Sequence, residues 1–132
     1  MAHDPRNLTD EMNGFLRDRH LGSLTLLRPD GTPHVTPVGF TWDPDTATAR
    51  IITYSGAKKV RLLEASGGGR AALCQVDGGR WITLEGNAIA TADPEQCADA
   101  VARYDQRYSP AKDRGADRRA IIIAVDTVLG RA

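Results

Sequence analysis

Residues 70–91 read RAALCQVDGGRWITLEGNAIAT, and their pattern is the strongest indication of the fold class. Residues 70–77 and 80–91 are two strand-like runs, and only Gly78-Gly79 separates them, as in a tight hairpin. In the second run, apolar or small residues occupy every second position, which is the period of a strand with one buried face. The stretch therefore predicts two long antiparallel strands.

Further strand-like runs lie on both sides of this hairpin. They are LGSLTLL at 21–27, HVTPVGFTW at 34–42, ATARIITY at 47–54 and RAIIIAVDTVLG at 119–130. Turn-forming residues at 28–31 and 43–45 separate the first three runs. Pro37 cannot donate to a strand ladder, so it predicts a sheet edge or a bulge.

Three helices are expected outside these strands. The first covers about residues 10–19, the second covers 57–65, and the third begins at Pro94 and ends before Pro110. Most connections are too short for a parallel crossover, so the sheet should be largely antiparallel. About six strands in a small, mainly β chain close into a barrel, which removes exposed edges. We therefore expect a mainly β fold, a β-barrel with peripheral helices, formed by residues 1–132 as a single domain.

The charge balance and the residue pattern exclude several classes of function. Lys plus Arg equals Asp plus Glu at 17 each, whereas a nucleic-acid-binding domain normally carries a basic excess. No apolar run approaches the roughly 20 residues that cross a bilayer, and residues 1–10 do not resemble a signal peptide. The two cysteines and three histidines lack metal-ligand spacing. We expect a cytoplasmic protein with no metal, no nucleic-acid partner and no membrane partner.

Residues 53–61, TYSGAKKVR, are the most informative for chemistry. Hydroxyl side chains end a strand there, and after Gly56 a helix begins with Lys58, Lys59 and Arg61. Free N–H groups and cations at a helix N-terminus suit a phosphate group. A basic helix face that contacts only solvent remains the alternative.

Three motifs, taken together, resemble a known family. RPDGTPHVTPVGF, TYSGAKKVRLL and CQVDGGRWITLEGNA, in this order and spacing, are similar to the split-barrel flavin and deazaflavin oxidoreductases, often called pyridoxamine 5′-phosphate oxidase-like. The resemblance runs from about Leu21 to the last strand. It is greatest to small actinobacterial members that use the deazaflavin coenzyme F-420, in particular those that reduce biliverdin.

The resemblance implies a six-stranded antiparallel split barrel, paired as a homodimer with a cofactor at each interface. It implies hydride transfer from reduced F-420 to a conjugated acceptor, with biliverdin reduced to bilirubin as the expected reaction. The alternatives are an FMN-dependent oxidoreductase of the same fold and a non-enzymatic protein that binds flavin or tetrapyrrole. No catalytic side chain is identified, since the cofactor would supply the reactive atoms.

The resemblance also implies which residues bind the cofactor. Thr53 and Ser55 match hydroxyls near its phosphate, Lys59 matches the phosphate-binding lysine, and Lys58 and Arg61 flank it. The strand segment Val35, Thr36, Pro37 and Val38 would border the ring, and Gln75 and Trp81 would lie near the cofactor or the partner subunit. The acidic tail of F-420 needs further cations, for which Arg50, Arg61 and Arg80 are candidates. Leu62 departs from the asparagine that many members have after the arginine.

Overall fold

The computed structural model describes residues 2–132, which form eight strands and three α-helices. The strands are β1 (Ala2–His3), β2 (Gly22–Leu27), β3 (Pro33–Val38), β4 (Thr41–Asp43), β5 (Thr48–Tyr54), β6 (Gly69–Asp77), β7 (Arg80–Thr91) and β8 (Arg118–Arg131). The helices are α1 (Asp10–Arg17), α2 (Lys58–Ser66) and α3 (Pro94–Arg107), and a 3-10 turn over Gly115–Asp117 precedes β8.

All the strands belong to one antiparallel sheet, in the order β3-β2-β6-β7-β8-β5-β4, and β1 pairs with β8. The β6–β7 hairpin turns at Gly78-Gly79, and Gly78 has the positive φ of 61° that this tight turn requires. Strand β7 has one buried face, as its alternating sequence predicts, since Ile82, Leu84 and Ala88 are buried. The predicted antiparallel hairpin is confirmed.

The connection between β3 and β4 shows that the sheet is rolled into a barrel. These strands are the two ends of the sheet order, yet only Gly39 and Phe40 separate them in the chain. Three peptide units span at most about 11 Å, whereas the edges of a flat seven-strand sheet would lie about 29 Å apart. The edges must therefore meet, and the barrel has a seam where β3 approaches β4 and β5 without pairing to them. The predicted mainly β barrel with peripheral helices is confirmed.

The barrel encloses the hydrophobic core, and the helices cover its open surfaces. The largest fully buried apolar side chains come from α1 and from six of the strands or their ends: Phe15, Leu16, Leu24, Leu26, Phe40, Ile51, Leu73, Ile82, Leu84, Ile121 and Ile123. On α2, Val60 and Leu63 are the buried residues, while Lys58 and Arg61 are exposed. This one-sided burial fixes the direction in which the cations of α2 point.

The prediction of a single strand over 34–42 is wrong, because the chain leaves the sheet at Gly39 and Phe40. The Phe40 N–H donates to the Tyr108 hydroxyl at 3.1 Å, and the Phe40 carbonyl accepts from Arg107. The backbone of Phe40 therefore bonds to side chains at the end of α3 and not to a neighbouring strand. Pro37 does lie on an edge strand, as predicted.

The strand count also differs from the prediction of about six. The additional strands are β1 and β4, which have two and three residues and therefore show no clear alternation. Within residues 2–132, no helix has the length and hydropathy of a membrane span. The same residues contain no group of three His, Cys, Asp or Glu side chains that could share a metal ion.

Candidate functional site

A cavity of about 400 Å³ opens at the seam of the barrel, and we call it the seam cavity. Its walls come from the end of β3, the end of β5, the start of α2, and the segment that joins α3 to β8. Its lining residues are Pro37, Val38, Gly39, Ile52, Thr53, Tyr54, Lys59, Tyr104, Pro110, Ala111, Lys112, Arg114 and Arg118. Four of the eleven predicted cofactor-binding residues are among them: Pro37, Val38, Thr53 and Lys59.

Lys59 contributes a cation to this cavity. It lies in the first turn of α2, next to Val60. Because Val60 and Leu63 place one side of this helix against the core, Lys59 is partly buried. Burial lowers the pKa of the Lys59 ammonium. Within residues 2–132 no carboxylate lies within 4 Å of it, since none of the ion pairs found there includes Lys59. A partly buried cation without a counter-ion is suited to bind an anion.

Thr53 and Ser55 differ in what their hydroxyl groups contact. Thr53 is buried at 5% exposure and, like Lys59, lines the seam cavity. The Ser55 hydroxyl donates to a carboxylate oxygen of Asp117, and the Ser55 N–H donates to the Asp117 carbonyl at 2.9 Å. Ser55 thus holds the turn before β8, and of these two residues only Thr53 lines the cavity.

The segment Val35–Val38 presents its residues alternately to the two faces of the sheet. Val35 and Pro37 are exposed on the outer face, and Val38 is buried. Thr36 pairs with Leu24, a core residue, and therefore points inward. The Thr36 hydroxyl and His34 Nδ1 are buried without hydrogen-bond partners within residues 2–132. Only the end of this segment, at Pro37 and Val38, reaches the seam cavity.

Gln75 lies in the core. Its exposure is 0%, its Nε2 donates to the Phe15 carbonyl at 2.7 Å, and its Oε1 accepts from Arg107 at 2.7 Å. A bound molecule cannot reach this amide in the single chain, so the predicted cofactor contact of Gln75 is not supported by its position. Its physical role is to join β6 to α1 and α3.

Trp81, Lys58 and Arg61 lie outside the seam cavity. Trp81 is 37% exposed on the outer face of the sheet, where it pairs with Val76, which is 62% exposed. Lys58 and Arg61 are exposed on α2, away from its buried side. The structure therefore separates Lys59 from its two basic neighbours.

Two of the arginines suggested for an acidic tail have other partners. Arg50 Nε lies 3.3 Å from Asp99, and Arg50 Nη1 lies 3.8 Å from Asp43. The Arg80 guanidinium lies over the Phe15 ring, 4.5 Å from its centroid. Neither residue lines the seam cavity, and Arg61 does not line it either. The suggestion that these three arginines supply the additional cations is not supported by their positions.

Besides Lys59, the cations that line the cavity come from a segment to which the sequence analysis assigned no function. They are Lys112, Arg114 and Arg118. Arg118 Nη1 donates to the Thr53 carbonyl at 3.3 Å, and the Arg114 guanidinium lies 4.6 Å from the centroid of the Tyr54 ring. The sequence itself shows these three basic residues within seven positions, which indicates a local concentration of positive charge. Their proximity to Lys59, however, depends on the pairing of Tyr54 with Arg118.

Tyr104 is the second missed contribution, and it provides an aromatic wall. Its ring lies beside Gly39, where an added Cβ would be 2.8 Å from Tyr104 Cε2, and beside the Tyr108 ring at 4.8 Å between centroids. With Val38 and Ile52 it forms an apolar surface next to the four cations. None of the residues lining the cavity is acidic. The seam cavity is therefore suited to a molecule with an apolar part and several negative charges.

Comparison of the sequence with known proteins identifies its family and a relative. The family model described as pyridoxamine 5′-phosphate oxidase matches residues 8–132. An F420H(2)-dependent biliverdin reductase of Mycobacterium tuberculosis (strain CDC 1551 / Oshkosh) is 44% identical over 133 residues, which cover 100% of this chain and 94% of that protein.

Solved structures share the fold. The conserved hypothetical protein Rv2991 of Mycobacterium tuberculosis is similar with a TM-score of 0.76 and 21% identity, covering 95% of this chain and 85% of that one. An F420 reductase is similar with a TM-score of 0.74 and 24% identity, covering 92% and 98% of the two chains. HupZ of Group A Streptococcus has a TM-score of 0.73 and 18% identity, covering 94% of each chain. At these identities the likeness concerns the fold alone.

Proposed function

This chain belongs to the pyridoxamine 5′-phosphate oxidase family, and from that premise we propose that it is an F-420-dependent oxidoreductase that reduces biliverdin to bilirubin. The reaction matches the name of the Mycobacterium tuberculosis relative, which is 44% identical over the full length of this chain. The observation that carries the proposal for the cofactor is the charge of the seam cavity, with four cations and no acid in its lining.

This charge distribution favours F-420 over a cofactor with a single phosphate. Lys59 and the Thr53 hydroxyl would hold the phosphate, because a cation and a hydroxyl both donate hydrogen bonds to phosphate oxygens. Lys112 and Arg114 would then be available for the carboxylates of the acidic tail, and Arg118, which already donates to the Thr53 carbonyl, would add positive charge to the cavity. A site for one phosphate would not require three further cations.

The chain's own groups would bind and orient the reactants and exclude water. Bound and reduced, F-420 would supply the hydride that the acceptor receives. Val38, Ile52 and Tyr104 provide the apolar wall, which reduces the amount of water around the reacting groups. The described residues offer no side chain that must act as acid or base, so we assign the balancing proton to solvent.

A homodimer is part of the proposal, as the resemblance implies. The outer face of the sheet formed by β3, β2, β6 and β7 exposes large apolar side chains at Leu21, Leu27, Val35, Val76 and Trp81, between 37% and 62% exposed. Such a patch is typical of a protein interface. We expect Val35→Asp together with Val76→Asp to convert a dimer into a monomer, as measured by sedimentation equilibrium.

We also expect the protein to act in the cytoplasm. Cys74 and Cys97 are both free, as is usual in a reducing compartment. Activity in the cytoplasmic fraction of a native extract, measured beside a known cytoplasmic marker, tests this expectation.

The first experiment mixes the purified protein with reduced F-420 and biliverdin and follows bilirubin formation by absorbance. Lys59→Ala should weaken F-420 binding at least about tenfold, since it removes a charge-assisted contact. Lys58→Ala should weaken it at most about threefold, because Lys58 is exposed and outside the cavity. Arg19→Ala, which removes an exposed charge from a different region, is the control for a general charge effect.

The same assay separates the alternatives. Tight binding of FMN with no binding of F-420 would contradict the cofactor assignment and favour an FMN-dependent oxidoreductase. Binding of F-420 and biliverdin without turnover would favour the non-enzymatic alternative. Equal losses of affinity in Lys59→Ala and Lys58→Ala would contradict the phosphate site described for Lys59.

A further inference from the structure

A second cavity, of about 270 Å³, lies between α1, β4 and α3, and we call it the α1–α3 cavity. It shares no lining residue with the seam cavity. On α3, Tyr104 faces the seam cavity, whereas Arg103 and Arg107 face this one. The α1–α3 cavity is therefore a separate site that the proposed reaction does not use.

The lining of this cavity is strongly basic. It contains Arg17 of α1 and Arg103 and Arg107 of α3, together with Gln106, and it contains no carboxylate. Arg107 is held by the Asp18 and Phe40 carbonyls and by Gln75, so its guanidinium is fixed in position.

The other two arginines differ in how far their charge is balanced. Arg103 lies 3.1 Å from Asp99 and 3.6 Å from Asp43, which balance part of its charge. Arg17 forms none of the ion pairs within residues 2–132. The cavity therefore has a positive charge that no lining group compensates.

Thr41 provides an independent indication of a ligand. It is 8% exposed and lines the cavity, and its hydroxyl is buried without a hydrogen-bond partner within residues 2–132. Trp42, the neighbouring lining residue, donates its indole N–H to Asn13 at 3.0 Å and so is already satisfied. A buried hydroxyl without a partner is unfavourable unless another molecule supplies one. Thr41 is thus a polar residue of this cavity whose hydroxyl the described residues leave without a partner.

We propose that the α1–α3 cavity binds a phosphate group, as the inorganic ion or as part of a small phosphate ester. Arginine side chains match the oxygens of phosphate by paired hydrogen bonds, and a hydroxyl donates one more. Arg17 and Thr41 are the residues that recognise the ligand, because Arg107 and Arg103 already have protein partners. The cavity volume of about 270 Å³ accommodates a ligand of this size.

The test is isothermal titration of inorganic phosphate into the full-length Lys59→Ala variant at low ionic strength. This background removes the lysine assigned to the phosphate in the seam cavity, and a second substitution in the α1–α3 cavity shows which part of the remaining binding belongs there. Adding Arg17→Ala should weaken phosphate binding about tenfold or more, and adding Thr41→Val about threefold or more. Adding Arg19→Ala removes the same charge two residues away, outside this cavity, and should change binding less than twofold.

An amide spectrum of the wild-type protein provides a readout that needs no variant. Phosphate should shift the signals of Arg17, Thr41 and Gln106, and glycerol phosphate should shift the same signals if the ligand is an ester. Absence of phosphate binding in the Lys59→Ala background would overturn the proposal. Equal weakening by Arg17→Ala and Arg19→Ala would also overturn it, as would an unchanged amide spectrum. These outcomes leave the proposed reaction untouched, because it depends on the seam cavity.

Discussion

Arg107 Nη2 donates to Gln75 Oε1 across 2.7 Å, and this hydrogen bond joins the end of α3 to the fully buried Gln75 of β6. Gln75 also donates to the Phe15 carbonyl, so one amide links three elements of the fold. The Arg107 guanidinium, in turn, lies 4.5 Å from the centroid of the Phe40 ring. The helix that carries Tyr104 is therefore fixed to the barrel by buried polar contacts.

Replacing Gln75 should destabilise the protein strongly. Gln75→Leu removes an acceptor from Arg107 and a donor from Phe15, and each unsatisfied buried group costs about 1–3 kcal/mol. We expect the free energy of unfolding to fall by about 3 kcal/mol in urea titrations at fixed protein concentration. The control is Gln106→Ala near the end of α3, an exposed glutamine whose side chain forms no hydrogen bond within residues 2–132, and it should change this free energy by less than about 0.5 kcal/mol. Similar effects of the two variants would contradict a structural role for Gln75.

Binding of F-420 should weaken at alkaline pH. Burial lowers the pKa of Lys59, so its ammonium loses its proton below the ordinary lysine value of 10.5. The charged form binds the anion, and affinity therefore falls as the pH rises through the lowered pKa. Arginine keeps its proton in this range. In fluorescence titrations from pH 7 to 10, Lys59→Arg should lose less affinity than the wild type; parallel losses would contradict the assignment.

The pKa of the His34 imidazole should depend on the positive charges of α2. Burial lowers its pKa below 6.5, and the positive charges of Arg28, Lys59 and Lys58 lower it further. His34 is thus neutral when the unfolded chain would take up a proton, and the free energy of unfolding falls as the pH falls below 6.5 toward the lowered pKa. Proton NMR titration should show a higher His34 pKa in Lys59→Ala. Lys112→Ala is the control and should leave it unchanged.

Gly39→Ala should disturb the wall of the seam cavity. An added Cβ would lie 2.8 Å from Tyr104 Cε2, so the Tyr104 ring would have to move. We expect a loss of about 1–3 kcal/mol in unfolding free energy, as for other overpacked positions, and weaker F-420 binding. Combining it with Tyr104→Leu should recover part of the loss, giving a nonadditive double-mutant cycle. Additive effects would show that Tyr104 is not the residue displaced.

Much of the barrel could be predicted because alternation and turn residues act locally. The β6–β7 hairpin follows from Gly78-Gly79 and from the period of β7. The break at Gly39 and Phe40 could not be predicted this way, because it depends on Arg107 and Tyr108, more than sixty residues later. Local patterns indicate which residues prefer a strand, and distant side chains decide where that strand ends.

The candidate site was predicted only in part for the same reason. Lys59 and Thr53 lie within one short motif, so their relation was visible in the sequence. Lys112 and Arg114 join them only because β8 pairs with β5, which places Arg118 opposite Tyr54. Gln75 lies two residues after Leu73 and four after Ala71, which are both buried. The alternation of the strand therefore places the Gln75 side chain on the core side of β6.

The position of β8 has a consequence for synthesis of the protein. This strand lies between β5 and β7 and also pairs with β1, yet it consists of residues 118–131 and is synthesised after the other seven strands. Until those residues leave the ribosome, β5 and β7 have no partner on their facing edges, and the Ile121 and Ile123 side chains are missing from the core. The barrel therefore closes only after translation has passed residue 131, and a growing chain must keep two aggregation-prone edges apart until then.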